Sequence, residues 1–198
     1  MTEETLTPDR ILNVAEDVLR RFGPAKATVI DVARALGVSH GSVYRHFSSK
    51  AALREAVTER WLARLSAPLA TIITAEGSAS ERLHHWLHLL FTTKRQSAHN
   101  DPELFATYVE LADEATGAVI AHVNDLVAQI AHIIADGVAQ GEFAISDPTT
   151  TARAVFYATN YFHNPAHASG WSNPSIDAAF ESVWTLILHG LSSHKTPG

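Results

Sequence analysis

Between Ser39 and Lys50 the chain sets hydroxyls, imidazoles and cations close together: Ser39, His40, Ser42, Tyr44, Arg45, His46 and Lys50. Such groups suit hydrogen bonds and ion pairs to an anionic partner. Catalytic spacing is missing elsewhere: there is no Glu-x-x-His pair, no His-Glu-x-x-His and no nucleophile motif, so no enzyme and no cofactor are expected. The sequence holds no Cys, which excludes disulfides, thiolate zinc sites and thiol redox chemistry. Nine of the twelve His fall between residues 84 and 189. His84 and His88 stand at i, i+4, the spacing that puts two metal ligands on one helix face. A metal there needs a third ligand, from His85, His99 or a carboxylate of 101–112; a solvated helix flank explains the pair equally well.

The charge of the whole chain is −6, unevenly spread. Residues 10–50 carry a net +4 and residues 51–198 a net −7. A basic head on an acidic body suits a protein that meets phosphate at one end. With 46 % hydrophobic and 18 % charged residues, the composition is that of an ordinary globular protein. No run of 18 apolar residues predicts a membrane span, and the polar, acidic start at residues 1–8 does not read as a secretory signal. The cytoplasm is the expected location.

Helical periodicity fills the stretches between Gly and Pro clusters, and strand-like alternation is nearly absent, so the expected fold is all-α. Nine helices are expected. Three short ones lie near 8–22, 28–36 and 39–46. A long one runs over 49–75, kinked or interrupted at Pro68. Others cover 81–97, the region from Asp101, 114–139 (Gly137 and Gly141 marking its end), 148–163 and 174–192, with a loop at 164–173. Asp147-Pro148 and Asn173-Pro174 each read as an N-cap followed by Pro at N1. The division is a small head at 1–48 and a larger body at 49–198.

The segment 27–50 is the most informative. Thr28 with Asp31 forms a capping box, small Ala33 lets a second helix cross closely, and Gly37 suits the left-handed turn that ends the first helix. Ser39 caps the second, whose outer face is His40, Gly41, Ser42 and Arg45. A short helix with few apolar groups and outward donors is better suited to a major groove than to a core.

Val32-Ala-Arg-Ala-Leu-Gly-Val38, Ser42-Val-Tyr-Arg-His-Phe47 and Lys50-Ala-Ala-Leu53 together resemble the tetracycline-repressor (TetR) family, in residue detail over about 10–54 and in helix layout over the whole chain. The resemblance implies a three-helix DNA-binding head on a six-helix body. Thr28, Tyr44, His46 and Lys50 would contact phosphates, with Lys50 acting beside the amino end of the fourth helix, where free N–H groups attract anions. His40, Ser42 and Arg45 would read bases, with Gly41 allowing close backbone approach. The family often has an aromatic residue where Arg45 stands, so Arg45 reads as a base or a phosphate contact.

The resemblance also implies a homodimer on a near-palindromic double-stranded DNA operator, paired through the last two helices. The apolar residues of 148–163 and 174–192 spread over too wide a band for one buried stripe, which points the same way. Val155, Phe162, Phe180, Trp184, Ile187, Leu188 and Leu191 are the interface candidates. A small-molecule effector pocket in the body is implied too, with Trp86, Leu90, Tyr108, His122, Tyr157, Tyr161 and His163 as candidate lining. The leading expectation is a repressor released by its effector. A metal-responsive regulator, and a DNA-binding factor whose body binds a protein partner, are the alternatives.

Overall fold

Helix starts and stops follow side chains that satisfy the free backbone groups at helix ends. The computed structural model describes residues 6–192; the extreme N-terminal part of the acidic start at 1–8 lies outside them. The elements are α1 (Pro8–Lys26), α2 (Val29–Leu36), α3 (His40–Tyr44), α4 (Lys50–Ala70), α5 (Ala79–Asn100), α6 (Pro102–Glu114), α7 (Thr116–Ala139), α8 (Pro148–Ala158), α9 (Asn160–His163), a 3₁₀ helix (Pro165–Gly170) and α10 (Ile176–Leu191). Among the described residues there is no strand, only an isolated bridge between Phe143 and Ser192.

Helix ends confirm most expected signals and revise several. Gly23 breaks α1 with φ 71° and ψ 163°, so regular helix stops where Gly23-Pro24 predicts. Pro68 does not interrupt the fourth helix midway; α4 closes two residues later, at Ala70. The expected single helix over 148–163 pauses at Thr159, whose hydroxyl donates to the carbonyls of Val155 (3.0 Å) and Phe156 (3.1 Å). Such back-bonding by Thr competes with regular helix. Asn173-Pro174 does not open α10. The Asn173 side chain instead accepts from Ser175 N–H at 3.0 Å, an Asx turn that delays the helix to Ile176. Asp101 and Asp147 do cap α6 and α8, each with Pro following.

The chain forms two compact units, with α4 and α7 contributing to both. The first comprises residues up to Ala63 together with Asp101–Ile120. Its core joins Ile11, Ala15 and Leu19 of α1 to Val32 and Ala33 of α2, Val43 of α3 and Leu53 and Val57 of α4. α1 also packs on α6. Trp61 stacks on Tyr108 with ring centroids 4.5 Å apart, and Arg60 pairs with Glu16 at 2.8 Å. Some 50 residues bury too little apolar surface to stand alone, and α4 and α6 supply the missing wall.

The second unit comprises Arg64–Asn100 and the residues from Ala121 onward. Leu83, Trp86, Leu87, Leu90 and Phe91 of α5 meet Leu126, Ile130, Ile133 and Ile134 of α7, with Val155, Phe156, Phe162 and Phe180 completing the core. Two polar links cross it: Arg82 pairs with Asp136 at 3.0 Å, and Trp86 Nε1 donates to Gln129 at 3.0 Å. Gly137 lies inside α7, not at its end, and a Cβ there would collide with the Phe143 ring, which is why the position is glycine. The true terminator is Gly141, at φ 76°. α7 is also long and apolar enough to cross a membrane, with mean hydropathy 1.5, against the expectation of no such segment. Its polar interruptions, such as His122, Asn124 and Asp125, keep consecutive apolar runs short, and its Leu and Ile side chains serve the core.

Candidate DNA-binding site and effector-pocket residues

The candidate site begins with the box that starts α2. Asp31 N–H donates to Thr28 Oγ1 at 3.2 Å, Thr28 N–H returns a bond to Asp31 at 3.2 Å, and the Thr28 hydroxyl donates to the same carboxylate at 2.6 Å. Those bonds, led by the Thr28 hydroxyl, hold the Asp31 carboxyl below its usual range. Arg34 adds a contact at 3.0 Å. At the other end Gly37 takes φ 70° and ψ 27°, and Val38 N–H reaches back to Ala33 O at 3.0 Å. This closure turns the chain sharply into α3.

α3 is only five residues long, and its one buried side chain is Val43. Ser39 caps it through Ser42 N–H at 3.2 Å. The Ser39 and Ser42 hydroxyls lie 2.9 Å apart, and Arg45 donates to Ser42 Oγ at 3.1 Å. Two of the three expected base readers are therefore linked before any DNA arrives. His40, Gly41, Tyr44, Arg45 and His46 are exposed and Ser42 is half-buried. His40 meets the Tyr44 ring edge-on at 6.3 Å. A Cβ on Gly41 would touch only Ser39 Oγ, at an ordinary 3.8 Å, so nothing inside the protein requires glycine there. Thr28 is exposed at the head of α2. Lys50 is the exposed first residue of α4, beside Ser49, whose Oγ accepts from Ala52 N–H at 3.0 Å.

The structure does not bring the seven pocket candidates together. Tyr108 belongs to the first unit, stacked on Trp61. Tyr157 and Tyr161 are 60 % and 45 % exposed. Trp86 and Leu90 are core residues. His163 is buried, with Nε2 3.1 Å from Phe156 O. His122 is partly exposed, but its Nε2 is sealed from solvent and meets no hydrogen-bond partner. Burial, with the nearby positive charge of Lys94, pushes both imidazoles down to about 4, although the Phe156 carbonyl partly opposes this at His163. Lys94 is itself buried and lowered to about 8 by desolvation. It was not among the sequence candidates, yet a signal existed: the apolar stripe Leu83, Leu87, Leu90 continues to 94 at i, i+4, i+7, i+11. A separate cleft of about 540 Å³, bordered by Arg95, His99, Trp171, Asn173 and Asp177, includes none of the seven.

Of the interface candidates, Val155, Phe162, Phe180 and Leu191 are buried in the chain's own core and offer no outer surface. Trp184, Ile187 and Leu188 are half-buried, and the outward apolar residue of α10 is Leu186, 73 % exposed. His84 faces Glu181 at 3.0 Å and the Trp184 ring at 5.0 Å, while His88 lies against Phe91 and Phe180. Among the described residues no group of three or more His, Cys, Asp or Glu could hold a metal ion.

An all-helical chain with a capped helix-turn-helix and donors on an exposed second helix defines a DNA-binding regulator. Residues 11–57 match the model for bacterial regulatory proteins of the tetR family, and residues 79–184 that for the tetracyclin repressor-like C-terminal domain. The chain therefore belongs to the TetR family of DNA-binding transcriptional regulators. An uncharacterised HTH-type transcriptional regulator of Mycobacterium tuberculosis is 28 % identical over 148 residues, 75 % of this chain and 68 % of that one. A TetR transcription regulator from Haloarcula marismortui superimposes with a TM-score of 0.72 at 15 % identity, covering 94 % and 98 % of the two chains. FadR from Bacillus subtilis, solved with stearoyl-CoA, superimposes at 0.62 and 17 % identity over 93 % and 100 %. These two structures share its fold.

Proposed function

We propose that the protein is a homodimeric repressor that a small-molecule effector releases from a near-palindromic operator. The observation that carries this is the Ser39–Ser42–Arg45 chain on exposed α3, a recognition surface ordered in the absence of DNA. Arg45 and His40 read bases, Gly41 admits the DNA closely, and Thr28, Tyr44, His46 and Lys50 hold phosphates. Within the chain, 1–48 carries the DNA contact and 49–198 the effector and dimer contacts. The protein acts by binding, without catalysing a reaction, in the cytoplasm where its DNA lies. Leu186 with half-buried Trp184 and Ile187 supports pairing of α10 with a second copy. The stearoyl-CoA bound in the Bacillus subtilis FadR structure supports a small-molecule role for the body. Effector and operator then oppose each other through different affinities for two conformations.

Selection from a random DNA library with the purified protein tests the reading. The expected product is a two-fold near-palindrome with half-sites about 34–36 Å apart, one DNA turn. Recovery of unrelated sequences at equal affinity would reject it.

A further inference from the structure

Within the second unit, the last turns of α5, the end of the 3₁₀ helix and the start of α10 border the open cleft of about 540 Å³. That volume lies in the range of about 300–1,000 Å³ usual for small-molecule sites. Ala98, Ala168, Trp171, Pro174 and Ile176 supply apolar wall. Trp171 Nε1 already donates to Tyr161 O at 2.9 Å, so the indole adds ring surface and not a donor. The polar groups on the wall include Arg95, Asn173 and Asp177.

Arg95 and Asp177 are held to one another and to the core. Arg95 donates to Asp177 Oδ1 at 2.7 Å, and its guanidinium carbon lies 4.7 Å from the centre of the Phe91 ring. Phe91, one turn before Arg95, stacks on Phe180, one turn after Asp177, at 5.5 Å. The ion pair therefore joins α5 to α10 over a fixed aromatic base. Among the described residues the pair keeps spare capacity, since Arg95 uses one N–H of its five on Asp177, and Asp177 one oxygen of its two. Asn173 Oδ1 accepts from the Ser175 N–H at 3.0 Å and its hydroxyl at 2.9 Å, which leaves Nδ2 as the atom able to donate. The cleft thus offers donors beside one carboxylate, on a pair with no net charge. A lone anion would crowd Asp177 and a lone cation Arg95. A ligand carrying both charges on neighbouring groups satisfies the two at once.

We propose that this cleft binds a zwitterionic α-amino acid with a large apolar side chain. Its carboxylate accepts from Arg95 and Asn173 Nδ2, its ammonium donates to Asp177, and its side chain lies against Trp171, Pro174 and Ile176. The four charges then alternate in sign around a square, so that every neighbour attracts. This rests on the reading of the body as effector-binding and names the chemical class of the effector. The contacts come from α5, the loop after the 3₁₀ helix and α10, so the ligand ties α5 to the helix proposed to pair with a second copy.

The test uses the full chain and matched probes. Leucine, phenylalanine and tryptophan are titrated by calorimetry, each beside two derivatives. The N-acetyl form keeps only the negative charge, and the primary amide only the positive one. At least one amino acid is expected to bind about tenfold or more tightly than both of its derivatives, as charge-assisted bonds are the stronger kind. Asp177→Asn is expected to erase the preference over the N-acetyl form, and Arg95→Gln the preference over the amide. Both side chains are partly exposed, at 61 % and 31 %, and either variant serves if the other does not fold. Derivatives binding as tightly as every amino acid tested, preferences unchanged in the variants, or no amino acid binding at millimolar concentration overturns the proposal. Operator affinity is followed in parallel. An amino acid that binds with these preferences without loosening DNA upholds the site and rejects the effector reading. A derivative that binds as well as its parent and releases DNA upholds the effector reading and rejects the zwitterionic class.

Discussion

Arg45 donates to Ser42 Oγ, so replacing it removes a potential base contact and also frees the serine. Arg45→Ala is expected to change which operator is preferred, by about 1–3 kcal/mol at one base pair, measured against a set of single-substituted operators. Lys50 carries charge without such a tie, so Lys50→Ala should weaken all DNA about equally and flatten the salt slope by about 1. Unchanged operator affinity in both variants would mean that another surface binds DNA. Gly41 separates fold from function. A methyl group there meets only Ser39 at 3.8 Å, so Gly41→Ala should melt at or above the wild-type temperature. Loss of operator affinity in that stable variant is the expected sign that DNA approaches the α3 backbone closely.

Among the elements, α7 depends on a residue that the sequence reads as a terminator. Gly137 leaves room for the Phe143 ring, and Gly137→Ala is expected to cost about 1–3 kcal/mol by overpacking, measured by urea unfolding. A variant as stable as wild type would show that the ring moves aside freely. The contact of α5, α7 and α9 has a pH signature. His122 and His163 sit near 4 when folded and near 6.5 when unfolded, so the unfolded chain binds protons first as pH falls. Their contribution to stability is present above about 6.5, is lost progressively down to about 4, and then levels off. Urea midpoints between pH 7 and 4 should fall accordingly, and the fall should shrink in His163→Phe. An equal fall in that variant would place the linkage elsewhere.

At the scale of the molecule, assembly follows from what the second unit leaves uncovered. Leu186 is mostly exposed on α10, in a helix whose opposite side reaches Phe180 and Ile176 in the core. A charge buried in an apolar interface costs more than such contacts return, so Leu186→Asp should shift sedimentation from dimer to monomer while leaving the helical signal intact. Wild type and variant sedimenting alike would reject α10 as the pairing surface. DNA affinity should fall with dimer loss, because two half-sites bound by one assembly gain from effective concentration.

The sequence by itself determined the local apparatus of DNA recognition. Thr28 with Asp31, Gly37 and Ser39 act within four residues of their partners, so spacing and residue type suffice to place α2, the turn and α3. Apolar periodicity likewise placed the long helices, since one buried face is enough to specify each. What periodicity does not carry is the partner on the other side. A wide apolar band on α8, α9 and α10 looked like interface, yet Val155, Phe162, Phe180 and Leu191 turn inward, because α5 and α7 supply a core broad enough to absorb them. Aromatic residues with polar tips looked like one pocket, yet Tyr108 and Trp86 lie in different units and Tyr157 faces outward. Lys94 shows the converse. Its type argues for the surface, and only the register of α5 on α7, set by bonds 43 and 54 residues apart in sequence, decides that it is buried beside His122.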